Sequence, residues 1–362
     1  MSTINIVVTI LEFIISLGIL IFIHELGHYA AARLAKIEVE EFGFGFPPRI
    51  VKLFEYKGTE FTLNWIPFGA FVRPKGENDP NAPGGLAAAN PFARLMVLFA
   101  GPLMNLLAGV LLFSLVFMRA GAADTKTVQI FEITANSPAQ SAGLMAGDVL
   151  QQINDTPINS ISALSTVISQ NKGKEIAITY LRSGEEYQTQ AVPRLNPPEG
   201  EGSLGIVMGN PVTKVNFFQA IPAAASMTLE QARQLFMTPV RLILGQLNAE
   251  EARFIGPINI FNLYQNAREM DEETTSSAGQ QDKAVNTLWL MGVVSVAFGI
   301  TNLLPIPALD GGRIIFVIPE LIFRRRVPAK YENFIHFVGF VLLIGFMIYV
   351  TFQDIFNPIT IP

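Results

Sequence analysis

The chain has no cysteine, which removes disulfides, thiolate metal ligands and thiol nucleophiles together. Any metal must be held by His, Asp or Glu. Histidine is scarce too, with three in 362 residues, and two of them, His24 and His28, stand four apart. Charge is thin: 15% of residues are charged, 50% are hydrophobic and the mean hydropathy is +0.38. That is too apolar for a soluble globule of this length. Positive charge is in no excess, since the net charge is −5 and the basic residues are scattered. A polyanion finds no electrostatic footprint here, so no nucleic acid partner is expected. The first apolar stretch lacks a basic region before it and a small-residue cleavage site after it, and reads as a permanent span.

What is present is a membrane protein's pattern. Residues 4–23, 96–117, 287–304 and 334–352 are apolar runs near the length of about 20 residues that a helix needs to cross hydrocarbon. Lys and Arg set their direction. Arg33, Lys36, Arg49, Lys52, Lys57, Arg73, Lys75 and Arg94 crowd the connection after the first span, and Arg313, Arg324, Arg325, Arg326 and Lys330 the one after the third. Residues 1–12 and the tail beyond Phe352 carry none. Connections rich in Lys and Arg stay in the cytoplasm, so both termini are expected outside, and residues 119–283 with them.

Within that outer segment, residues 127–194 alternate short apolar runs with turn signals around a helical stretch near 163–169, as a small soluble α+β domain would. Residues 197–202 read as a linker, and 271–282 as a polar, mobile stretch. Residues 217–247 mix Glu230, Arg233 and Arg241 with Leu, Phe and Met. Three charges make a poor span, and the expectation is an amphipathic helix on the outer membrane surface, with a fifth span as the alternative.

The chemistry is concentrated in His24-Glu25-Leu26-Gly27-His28, at the inner end of the first span. Positions i and i+4 of a helix share a face, so both imidazoles reach one Zn²⁺ while Glu25 projects beside them. Zinc so held lowers the pKa of its water toward about 7 and polarises a scissile carbonyl, and the carboxylate moves the proton. An accidental match is the bland alternative. Two imidazoles and a carboxylate at the end of an apolar helix cost roughly a few kcal/mol unless paired or coordinated, which argues against it.

A catalytic zinc takes three protein ligands, so one must come from elsewhere. The first and third spans run in the same direction, and the third ends in Asn302-Leu303-Leu304-Pro305-Ile306-Pro307-Ala308-Leu309-Asp310-Gly311-Gly312. Asp310 therefore reaches the depth of His24 and His28. The prolines break the helix and the glycines allow a turn, so its carboxylate can aim sideways. A cap on the following segment is the alternative. His336, at the start of the fourth span, reads as an interfacial histidine rather than a ligand.

Together with Gly101-Pro102-Leu103-Met104-Asn105 in the second span and Leu309-Asp310-Gly311-Gly312 after the third, the His-Glu-Leu-Gly-His run resembles the signature set of the site-2 protease family of intramembrane zinc metalloproteases. The order and spacing match along almost the whole chain. The branch it resembles is the bacterial one with a PDZ domain between spans two and three, here with a single such domain. Ser137-Pro138-Ala139, Ala142-Gly143-Leu144, Gly147-Asp148-Val149-Leu150 and Ile153-Asn154 resemble the bacterial PDZ core, and residues 202–206 its carboxylate-binding loop in permuted order. Peptide binding by that domain and a ligand-free steric plug are both open.

Phe61-Thr62-Leu63-Asn64-Trp65 alternates up to the turn Pro67-Phe68-Gly69 before Ala70-Phe71-Val72, which reads as a hairpin with one greasy face. The resemblance implies that such a hairpin dips into the membrane beside the active site, with Phe42-Gly43-Phe44-Gly45-Phe46 as part of its floor. Strand addition there, with Phe61, Leu63 and Trp65 as substrate-binding candidates, would unwind a helical substrate whose backbone is otherwise shielded. The family pattern places Asn105 near the metal, where it binds substrate or the developing oxyanion. Plain helix packing by Gly101 and Asn105 is the alternative.

The expected fold is a polytopic α-helical membrane protein with four transmembrane helices, an inserted extracytoplasmic α+β PDZ-like domain and a cytoplasmic-side membrane-associated β-hairpin. Its order is a first span with the His-Glu motif (1–35), a cytoplasmic loop with the re-entrant hairpin (36–91), a second span (92–118) and the PDZ-like domain (127–208). An extracytoplasmic amphipathic helix and linker (209–283), a third span with the Leu-Asp-Gly motif (284–312), a cytoplasmic loop (313–332) and a fourth span (333–353) follow. The resemblance implies a zinc protease of the bacterial inner membrane that cleaves single-span membrane proteins, such as an anti-sigma factor already trimmed outside. Partners are those substrates, membrane lipid and a peptide ligand of the PDZ domain. A catalytically silent PDZ scaffold is the rival class, and the intact His24, Glu25, His28 and Asp310 argue against it.

Overall fold

The computed structural model describes residues 3–77, 79–198, 200–247, 254–278 and 284–357. Parts of the stretches read as linkers, residues 199 and 279–282, lie outside them. The chain divides into two compact units: one is Met1–Ala120 with Asn216–Pro362, the other Gly121–Val215.

The first unit opens with α1 (Thr3–Leu34), followed by strands β1 (Val39–Tyr56) and β2 (Thr59–Pro74) and then α2 (Pro91–Ala120). After the second unit come α5 (Phe217–Ile243), α6 (Pro257–Ala278), α7 (Val285–Leu303), α8 (Asp310–Phe323) and α9 (Ala329–Phe356). Four of these helices, α1, α2, α7 and α9, are long and apolar enough to cross a membrane. Small residues let them approach. A Cβ on Gly27 would overlap the Ala100 carbonyl of α2, and one on Gly299 of α7 would stand 2.9 Å from the Pro102 carbonyl. Ser295 Oγ donates across the same contact to the Asn105 carbonyl at 2.8 Å. Close backbone approach with an interhelical hydrogen bond is how helices associate where no hydrophobic force separates protein from lipid.

α5 joins this bundle through one residue in four: Ala220, Ala224, Thr228 and Ala232 are its buried positions, and Ala224 and Ala232 share a core with Phe113, Val296 and Ile300. This small-residue stripe packs it against α2 and α7, and α5 is not among the helices apolar enough to cross a membrane. The stretch read as polar and mobile from residue 271 instead continues α6 to Ala278. Asp271 anchors it by accepting from the backbone N–H of Asn286 (2.8 Å) and of Thr287 (3.0 Å), capping the first turn of α7.

The sheet corrects the hairpin expected from the sequence. Lys57 and Gly58 make the turn between β1 and β2, with Tyr56 opposite Thr59. Pro67-Phe68-Gly69 is a bend inside β2, where Gly69 has φ +82°, a conformation glycine adopts without cost. The bend lets β2 pair twice. Phe42 of β1 lies opposite Phe61 and opposite Val72, and Phe44 opposite Leu63 and opposite Ala70. The Phe42–Phe46 floor is thus the middle of the sheet, and residues 70–74 form an outer strand paired on one side only. Aromatic contacts tie the sheet to α1: Phe42 and Phe44 meet Phe22, and Phe42 and Phe61 meet Tyr29.

The second unit holds β3 (Ala122–Ala123), β4 (Val128–Ile133), α3 (Pro138–Ser141), β5 (Val149–Ile153), β6 (Thr156–Pro157), α4 (Ile161–Gln170), β7 (Ile176–Arg182), β8 (Glu185–Ala191), β9 (Ile206–Gly209) and β10 (Val212–Thr213). The main sheet runs β8-β7-β5-β4-β9, with β6 on β5, and β3 pairs with β10 where the chain enters and leaves. Ile130, Leu150, Ile153, Leu164, Ile176 and Ile178 make its core. Buried Asp148 accepts from Arg182 Nε at 2.8 Å, and this bond holds the guanidinium above its ordinary pKa. The 202–206 loop leads into β9, the outer strand.

Candidate metal centre and active site

His24 and His28 occupy adjacent turns on one face of α1, and Asp310 is the first residue of α8. Their ligand atoms converge. Nε2 of His24 lies 3.1 Å from Nε2 of His28, and Asp310 Oδ2 lies 3.2 Å from the first and 3.3 Å from the second. Ligands of a tetrahedral zinc at about 2.0–2.1 Å stand about 3.3 Å apart, so this triangle has the edge lengths of three corners of such a site. Asp310 Oδ2 is buried and accepts no hydrogen bond, an orphaned charge unless a cation faces it. Among the described residues this is the one group of three or more His, Asp and Glu side chains that converges enough to hold a metal ion.

The surroundings aim both imidazoles the same way. His28 Nδ1 donates to the Val97 carbonyl of α2 at 2.8 Å, which leaves Nε2 free of its proton. Asn105 Nδ2 lies 3.3 Å from His24 Nδ1, and Oδ1 has no partner. Exchanging the two amide atoms, which have nearly the same shape, lets Oδ1 accept from Nδ1–H and frees Nε2 in the same way. Asn105 is 1% exposed. Its amide faces His24. Gly101, one turn before it, leaves the space these imidazoles fill.

Glu25 stands beside the triangle on α1, and its Oε2 accepts from the backbone N–H of Val72 at 3.0 Å. That contact joins the outer strand of the sheet to the His-Glu motif. The cavity at the site has a volume of about 260 Å³ and is lined by Phe71, Val72 and Pro74 of that strand, by Asn302 and Arg313, and by the four side chains described above. Phe61, Leu63 and Trp65 are not among its walls. Phe61 stacks on Phe42 and on Phe54, Leu63 lies between Phe44 and Val51, and Trp65 is 66% exposed on the sheet's outer surface. The stretch that alternates most clearly in sequence is paired on both sides, and the free strand lies beyond the bend.

Sequence reading also passed over Val72 and Val97, which act through backbone groups and leave no side-chain signal. Asn302, at the end of α7, lines the cavity. His336 lies outside the converging group, and its Nδ1 accepts from Ala308 N–H at 2.9 Å.

Two histidines and two carboxylates thus stand beside an open cavity at the end of helices long and apolar enough to cross a membrane. The sequence profile of peptidase family M50 matches residues 12–346, and the chain belongs to that family. A Clostridium perfringens protein, provisionally named a zinc metalloprotease, is 33% identical over 96% of this chain and 98% of its own length. Zinc metalloprotease RasP of Shouchella clausii is 27% identical over 96% and 98%, and metalloprotease MmpA of Caulobacter vibrioides is 26% identical over 97% and 96%. Among solved structures, the PDZ domain of an SdrC-like protein from Listeria monocytogenes matches at 21% identity and a TM-score of 0.21, covering 23% of this chain and 87% of its own.

Proposed function

We propose that the chain is an intramembrane endopeptidase that cleaves single-span membrane proteins in regulated proteolysis, acting on a membrane-tethered regulator, such as an anti-sigma factor, after a first cut outside the membrane. The observation that carries this reading is the hydrogen bond from Val72 to Glu25, which puts a singly paired β-strand against the zinc-type triad. His24, His28 and Asp310 hold the metal in this reading. Zinc bound there supplies an acidified water and polarises the scissile carbonyl. Glu25, oriented by the Val72 N–H, takes the proton from the water and hands it to the leaving amine. A substrate helix must unwind before its peptide bond is accessible, and residues 70–74 offer a strand edge for the released backbone groups.

The charge pattern supports a location in the bacterial inner membrane with both termini and the second unit outside, the site near the cytoplasmic face, and the sheet in contact with lipid on that side. The proposed division follows the expected order, with residues 127–208 as the PDZ-like domain and β9 as the strand a peptide ligand would join.

The test is cleavage in liposomes. Purified chain with zinc should cut a single-span substrate within its apolar segment, as mapped by mass spectrometry, and Glu25→Gln should keep the metal while losing the cut. The amide is nearly isosteric and still accepts from Val72, but it cannot take a proton. Retained cleavage by that variant, or cuts confined to residues outside the apolar segment, would overturn the proposal.

A further inference from the structure

α9 meets the metal-ligand loop at two successive points on one face. Its Gly339 packs directly on Pro307, where a Cβ would overlap the proline. Three residues earlier, His336 Nδ1 accepts the N–H of Ala308 at 2.9 Å. Ala308 has φ +77°, a left-handed conformation that costs a non-glycine residue roughly 1 kcal/mol or more and persists only when the surroundings hold it. It is two residues from Asp310, the ligand contributed from outside α1. The strained turn is what swings the Asp310 carboxylate off the axis of α7 and toward His24 and His28. A hydrogen bond to the N–H of the strained residue is where such a turn is most directly held.

We infer that His336 is a positioning residue for the third metal ligand: as hydrogen-bond acceptor for Ala308 it locks the turn that presents Asp310. The inference rests on the metal-site reading above. It gives α9, most of whose surface faces away from the rest of the protein, a defined task at the zinc. The role belongs to an acceptor atom and not to an aromatic ring, since the ring's other neighbour, Phe316 at 5.4 Å between centroids, needs only shape.

Two substitutions separate these. His336→Phe keeps the ring and removes the acceptor, whereas His336→Asn supplies an oxygen near the place of Nδ1 without the ring. Zinc affinity is read by competition with a chelator on the full chain in detergent, with thermal unfolding of the metal-free forms alongside and the visible spectrum of the Co²⁺-loaded forms as a report on ligand geometry. The Phe variant should bind zinc about 10- to 100-fold more weakly, the range for loss of a ligand's outer partner, with an altered Co²⁺ spectrum and an unchanged apo transition. The Asn variant should stay near the parent in both. Equal zinc affinity in all three proteins, or an Asn variant as impaired as the Phe variant, would overturn the assignment. If the Phe variant does not fold, the Asn variant decides: parent-like affinity and spectrum support the acceptor role, and a 10-fold or greater loss with intact folding refutes it. Loss of zinc from the parent itself would instead count against the metal-site reading.

Discussion

Gly101 of α2 faces His28 of α1 so closely that a Cβ on the glycine would overlap Nε2 of the histidine and stand 2.8 Å from Nε2 of His24. The glycine is therefore part of the proposed metal site's volume although it contributes no ligand atom. A methyl group there competes with the imidazoles for the position in which they converge. Gly101→Ala should lower zinc affinity by about 10- to 100-fold, the scale seen when a ligand's outer partner is lost, while helix content stays the same or rises, since alanine is the better helix former. Isothermal titration or chelator competition reads the first and far-ultraviolet circular dichroism the second. Unchanged zinc affinity would mean that the imidazoles have room to retreat.

The hydrogen bond from Val72 to Glu25 yields a separate prediction. Residues 70–74 pair with β1 on one side only, and the Val72 N–H points the other way, to Glu25. Proline at an edge position whose N–H faces away from the sheet breaks no ladder bond. Val72→Pro should therefore fold and bind zinc like the parent, yet lose the contact that orients the proposed general base. A hydrogen bond to a charged group contributes about 1.5–3 kcal/mol, so kcat should fall about 10- to 100-fold with zinc content unchanged. Parent-like kcat would show that Glu25 holds its position without the strand.

What the sequence made legible, and what it hid, follows from which atoms carry each feature. His24, Glu25 and His28 are fixed by helical spacing, a local property. Asp310 could be sought because the charge pattern implies matched span directions, which would bring two distant segments to one depth. The sheet defied local reading because Pro67-Phe68-Gly69 looks like a hairpin turn and is a corner in one long strand. Its consequence is that Phe61, Leu63 and Trp65 lie away from the cavity while Val72 lines it. The neighbour of Asn105, His24, is 81 residues away in the chain, a contact that no local pattern announces. The three charges of α5 bear on whether it crosses a membrane, and Ala220, Ala224, Thr228 and Ala232 decide which helices it packs against.

Orientation is open to direct labelling, because a chain without cysteine accepts single reporters. Asn81 lies in the exposed turns between β2 and α2, and Ser183 in the turn between β7 and β8, with φ +56°. In intact cells, a cysteine at position 81 should resist a membrane-impermeant thiol reagent and one at position 183 should react, and both should react after lysis. The reverse pattern would place the metal site toward the outer face of the membrane.

The second unit offers the last prediction, that it governs access and takes no part in the chemistry. Every proposed ligand, and Glu25 itself, belongs to the first unit. The second unit holds none of these residues. Its chain ends meet, because Ala123 pairs with Val212 and Ala122 with Thr213. Residues 124–211 can therefore be replaced by a short Gly/Ser linker without stretching the helices that flank them. A compact domain between spans two and three can exclude substrates with bulky outer portions and admit trimmed ones. The deletion variant should bind zinc, cut a short single-span substrate at the parent rate and cut untrimmed substrate faster than the parent, as read by gel-based cleavage in liposomes. A variant that binds zinc but cuts neither substrate would show that the unit recruits substrate, with β9 as the strand to examine. Equal rates on both substrates, unchanged from the parent, would remove access control from its functions.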